Sequence, residues 1–267
     1  MGESAAFDAV GCEHMWRFPR GVWAIPARTL LTATLLLALP SAGLCHTLLD
    51  PESAHALLSE ITRYQKASQS GKTREARADA LFAMGGKVQT LVGLLNQDVD
   101  AHGIPGPLTV QVATQLAESE INVTWSKQRR RFGYDMEAFR RYSVLAPNGA
   151  HAAEARFQVL SVGFYATLDL DPAKVSAGDL PAVIAAVEQE QRFLRDYPND
   201  ARVREVSFYL GVDCYRLSRN LGEGAQALVY RRCARETLQA VASHYPDSIE
   251  ARAASSLLES PDWGMSR

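Results

Sequence analysis

The chain has 267 residues, 47% of them hydrophobic, with 28 basic and 30 acidic side chains and a formal charge of −2. That length and apolar share suffice for a real core and exclude a disordered chain. The even charge balance excludes the strongly basic field of a general nucleic-acid-binding surface.

The first stretch with a clear physical signature is Thr29 to Leu39, an apolar run preceded by Arg17, Arg20 and Arg28 and followed by Ser41-Ala42-Gly43. A basic region, a short apolar region and a small-residue exit read as a secretory signal peptide over residues 1–43. The run is too short to span a bilayer, and Pro40 closes it. Glu3, Asp8 and Glu13 spoil the basic region, and a start at Met15 removes them. Residues 1–43 carry three basic and three acidic side chains, so the remainder keeps the same balance.

Cys45 follows the expected cleavage point in Ala42-Gly43-Leu44-Cys45. This resembles the lipidation box of bacterial lipoproteins, with Leu44 standing where that box has a small residue. Cys45 is therefore a candidate lipid-attachment site, and its alternative is a free thiol in a loose terminus. Cys214 and Cys233 are the other cysteines after the signal, which leaves an odd count for an exported chain.

Apolar residues at helical spacing then run through Leu57, Leu58, Ile61 and Tyr64, and a second helix through Ala76, Ala80, Leu81 and Met84 is expected to stop at Gly85-Gly86. A third takes Val88 to Leu95. His102 to Pro107 holds two glycines and two prolines and is expected to separate a degenerate N-terminal helical region, 44–106, from clearer repeats over 107–267. Lys127 to Arg131 (KQRRR) is the one dense basic cluster, expected on a solvated helix face. Helices over Tyr134–Leu145 and Phe157–Leu168 follow, then one opening near Pro181. No strand-like alternation of useful length stands out, and the expected class is all-α.

One phrase recurs. A helix closes at Ala146-Pro147-Asn148, at Tyr197-Pro198-Asn199 and at Tyr245-Pro246-Asp247, and the three prolines lie 51 and 48 residues apart. Self-similarity at such a period signals stacked repeats, in which one helix pair cannot bury its apolar stripe without a neighbour.

With Leu210-Gly211 downstream of the Tyr197-Pro198 turn and Ala234 in the helix after it, the pattern resembles the tetratricopeptide repeat. It is closest to the exported bacterial type found in the lipoprotein of the outer-membrane β-barrel assembly machine and in the periplasmic protein that binds TolA. The resemblance implies a right-handed superhelix (solenoid) of antiparallel helix pairs, with Pro147, Tyr197, Pro198, Leu210, Gly211, Ala234, Tyr245 and Pro246 as turn and packing residues. Arg219 to Val229 reads as an 11-residue insertion between two repeat helices. In the repeat frame Cys214 and Cys233 face one another, which predicts a disulfide closing a loop of about 20 residues and contributing about 3 kcal/mol in the chain-entropy model. The alternative is two small buried thiols.

Motifs for chemistry are missing: there is no HExxH, CxxC, phosphate-binding glycine loop or histidine cluster. Glu188, Glu190 and Asp196, like Asp98 and Asp100, are expected to be solvating carboxylates on helix faces. The resemblance points to a non-enzymatic protein–protein interaction scaffold of the cell envelope, periplasmic or outer-membrane-associated, with no cofactor, metal or nucleic acid and with membrane contact only through a lipid anchor. Its candidate partner-binding residues are Tyr215, Arg216, Arg219 and Tyr230, side-chain types enriched in binding hot spots. The rival readings are an exported all-α enzyme or accessory acting on cell-wall material and a self-associating structural repeat protein.

Overall fold

The structure, a computed structural model, describes residues 49–168, 180–222 and 224–259, with the backbone alone for 165–168. The expected signal peptide, residues 1–43, and Cys45 lie outside the described residues. Within Leu48–Arg267, which form one compact unit, the described residues make nine helices and one hairpin.

Local chemistry starts the first helices. Helix α1 (Pro51–Ser70) opens with Asp50, whose Oδ1 accepts from the Ser53 N–H at 2.9 Å, and with proline where a missing N–H costs nothing. That hydrogen bond holds the Asp50 carboxyl below the usual carboxylate range. Helix α2 (Arg74–His102) opens on Thr73, whose hydroxyl accepts from Ala76 N–H, and closes on Gly103 at φ 78°, the left-handed cap that glycine adopts without cost.

At 29 residues α2 runs straight through Gly85-Gly86, where the sequence predicts a stop. Tertiary packing explains the difference. A Cβ on Gly85 would stand 2.8 Å from the Phe139 ring, so the glycine admits helix α4 (Glu137–Leu145) close to α2. The burial there outweighs the roughly 1 kcal/mol that glycine costs a helix interior.

After helix α3 (Pro107–Glu118) comes an element the sequence did not suggest, an antiparallel hairpin of β1 (Val123–Ser126) and β2 (Arg131–Tyr134). The basic cluster 127–131 is therefore the turn of this hairpin and the start of β2, not a helix face. Its alternation, with Phe132 and Tyr134 buried and Arg131 and Gly133 exposed, lasts only four residues and is too short to read from sequence. Trp125 pairs with Phe132, ring centroids 4.9 Å apart. Tyr134, expected in a helix, instead caps one: its hydroxyl accepts from the Ala138 N–H at 3.0 Å, and burial pushes its pKa up to about 12.

The chain then runs through α5 (Ala152–Leu168), α6 (Leu180–Asp196), α7 (Val203–Asn220), α8 (Ala225–His244) and α9 (Ile249–Glu259). The three proline turns share one hydrogen-bond pattern. The residue before each proline, Ala146, Tyr197 or Tyr245, donates its N–H to the carbonyl four residues back, and its own carbonyl accepts from the N–H three residues on. Proline disfavours helical geometry in the residue before it and has no N–H, so each helix ends at the same place for the same reason.

Residues 219–229, expected from the resemblance to be an insertion, are mostly helical. Arg219 and Asn220 lengthen α7 and Ala225 to Val229 lengthen α8. Nor does the proline-glycine segment after α2 divide the chain there, because Leu91 and Val99 before it share a core with Val112 and Leu116 after it.

Among the described residues, three apolar clusters run along the chain. The first joins α1–α4, the hairpin and the start of α5; a small one unites Leu160, Phe164, Phe193 and Val206; the third joins α6–α9. In the third, Leu210, Ala234 and Leu238 are buried, and Gly211 brings α7 against Leu238 of α8. The protein is mostly helical, and a repeated helix–turn–helix motif is visible at its three proline turns.

Candidate functional site

Helix α7 is buried without a break from Leu210 to Ser218, polar residues included, because α6, α8 and α9 all pack on it. Charged side chains rarely sit so deep without partners. Here Arg216 Nη1 donates to Asp213 Oδ1 at 2.7 Å, one helical turn away, and both residues are almost wholly excluded from water. Tyr215 is buried beside them at 5% exposure. Of the four candidate partner-binding residues, Tyr215 and Arg216 are thus core residues; Tyr230 is half-buried and Arg219 is exposed. Tyr and Arg carry no sequence mark that separates a buried role from a contact role.

Next to this ion pair lies Glu190 of α6, 1% exposed, with its Oε2 lacking a hydrogen-bond partner. Burial pushes its pKa well above the ordinary glutamate range, and the carboxylate of Asp213 pushes in the same direction. Burial also raises Asp213, with Arg216 pulling against it. The arrangement that lowers the electrostatic cost is a charged Asp213–Arg216 pair beside a neutral Glu190. Of the expected solvating carboxylates, Glu188 is exposed and Asp196 pairs with Arg156 at 3.1 Å, but Glu190 is a core group.

The two cysteines complete the cluster. Cys214 on α7 is fully buried and Cys233 on α8 half-buried, both as thiols in this structure. The neighbouring Cys214 and Thr237 side chains lower the pKa of Cys233, against the opposing effect of burial, while burial raises that of Cys214. Five ionisable groups from three helices therefore meet in one place. Such a concentration marks a functional candidate as well as a structural network.

Glu190 also belongs to the floor of a groove between α4, α5 and α6, about 680 Å³ in volume. Its walls are small or apolar: Val144, Val162, Gly163, Ala182, Ala185 and Ala186. Val144 is 78% exposed and Val162 39%, which is unusual for valines with no internal task. Arg140, Arg156 and Arg192 stand around it. The sequence signal for this groove was present but faint, a stripe of small residues on α6 at positions 182, 185 and 186 with Arg192 two turns beyond.

Among the described residues, no group of histidines, cysteines and carboxylates could hold a metal ion, and no helix is long and apolar enough to cross a membrane. His244 sits in the last turn of α8, its Nδ1 2.8 Å from the Ala240 carbonyl oxygen, and His151 stacks on Phe82 with ring centroids 4.1 Å apart. Comparison with protein-family models, with characterised proteins and with solved structures yields no match.

Proposed function

We propose that the protein is a non-enzymatic interaction module of the cell envelope, built of stacked repeat-like helix pairs, and that its groove between α4, α5 and α6 receives a segment of a protein partner. The observation that carries this reading is the groove: exposed valines and small side chains forming an apolar trough, ringed by three arginines. An amphipathic segment with apolar residues on one face and carboxylates along its edges complements it in shape and charge. Helix-in-groove recognition uses this combination, and arginine at the rim gives orientation and partner choice more than raw affinity.

A photo-crosslinking residue placed at Val162 in the full chain tests the proposal in cells, with the same residue at Val110 on α3 as the control. The expected result is one discrete heterologous adduct at position 162 that disappears when Arg192→Glu is added. An adduct at twice the mass of the chain would replace the reading with self-association. Equal adducts at both positions, or an adduct indifferent to Arg192→Glu, would refute the groove.

A further inference from the structure

The cysteine pair carries an inference of its own. Cys214 and Cys233 lie on the neighbouring helices α7 and α8, and Cys233 packs against the apolar cluster in which Cys214 is buried. They differ sharply in access. Cys233 is half-buried and reachable from solvent, whereas Cys214 has no exposed surface. They also differ in surroundings: the neighbouring Cys214 and Thr237 side chains hold the Cys233 thiol below its usual range against the opposing pull of burial, whereas burial holds the Cys214 thiol well above it. Cys214 sits in the core of the α7–α8 contact.

We propose that this pair is a thiol–disulfide exchange site, in which Cys233 attacks an incoming disulfide and Cys214 resolves the adduct, the product being a covalent link between α7 and α8. In the first step the Cys233 thiolate attacks one sulfur of the disulfide R–S–S–R. The S–S bond of the substrate breaks, a Cys233–S–S–R bond forms, and RS⁻ leaves and takes up a proton. In the second step Cys214 attacks the Cys233 sulfur, and its proton passes to the second RS⁻ as that group leaves. Two protein thiols are oxidised and one disulfide is reduced to two thiols, which balances the exchange. The substrate class is a disulfide small or mobile enough to reach Cys233. The same steps in reverse return the dithiol, so the site reports the redox poise around it.

Oxidised glutathione serves as the probe, on the purified full chain under native conditions, followed by acid quench, alkylation and peptide mapping by mass spectrometry. In the wild type, the expected product is a Cys214–Cys233 linked peptide with little retained glutathione. In Cys214→Ser, Cys233 should keep one glutathione, since nothing resolves it. In Cys233→Ser, Cys214 should stay unmodified at the same exposure and become reactive only after denaturation. Circular dichroism of each variant establishes that it is folded. The proposal is overturned if wild-type Cys233 retains glutathione without forming the link, if Cys233 does not react in folded Cys214→Ser, or if Cys214 reacts in folded Cys233→Ser.

Discussion

The contact between α7 and α8 can be tested by a single methyl group. Gly211 lies in the middle of α7, and a Cβ there would stand 2.7 Å from Leu238 Cγ and 2.8 Å from Leu238 Cδ2. Carbon atoms in ordinary contact lie about 3.5 to 4.0 Å apart, so the methyl intrudes by about 1 Å. Leu238 has no exposed surface and is held among Leu210, Leu217, Ala234 and Val241, so it cannot swing aside. Overpacking of this kind costs about 1–3 kcal/mol, and the better helix propensity of alanine returns about 0.8–1.0 kcal/mol. Gly211→Ala should therefore lose about 1 kcal/mol net, a Tm lower by roughly 2–4 °C for a domain of this size. Gly93→Ala is the internal reference. It too lies inside a helix, but nothing stands within 4 Å of its Cβ position, so only the propensity gain remains and Tm should rise by about 2–3 °C. Urea unfolding followed by far-ultraviolet circular dichroism gives both values. In a double-mutant cycle, Leu238→Ala should convert Gly211→Ala from destabilising to stabilising. If Gly211→Ala stabilises the wild type as much as Gly93→Ala does, the close approach of α7 and α8 is wrong.

Two further outcomes follow from the buried polar groups. Glu190 has its folded pKa raised above its ordinary value of 4.5, so its contribution to stability is complete at pH below that value and is lost as pH rises from there through the folded pKa. Glu190→Gln, close in shape and never charged, should remove that fall. Its urea midpoint should exceed that of the wild type increasingly toward alkaline pH, and parallel pH profiles would count against the buried neutral carboxyl. Tyr134→Phe removes the hydroxyl that accepts from Ala138 N–H and leaves that donor buried at the start of α4. It should cost about 1–2 kcal/mol by urea unfolding, and a loss within error of zero would mean that the hydroxyl caps nothing.

What was legible in the sequence was what neighbouring residues decide among themselves. The ends of α4, α6 and α8 could be placed because a proline two residues past the last helical residue imposes its stereochemistry locally, whatever packs nearby. The caps at Asp50 and Thr73, found only in the structure, are equally local: a side-chain oxygen and an N–H three residues away. The repeat resemblance singles out Gly211 and Ala234 as packing residues, and in the structure Ala234 is buried and Gly211 lies against Leu238. Everything that depended on residues far apart went unread or was misread. Gly85 does not end α2, because Phe139, over fifty residues later, fills the space beside it. Glu190, Asp213 and Arg216 look like surface charges until three helices close over them, since side-chain type alone cannot distinguish a solvated carboxylate from one that burial keeps neutral. The groove exists only because α4 and α5 leave uncovered a small-residue face that α6 completes. Local hydrogen-bonding geometry is written in a few adjacent residues, whereas desolvation depends on how much of the whole chain surrounds an atom, and only the tertiary structure decided that.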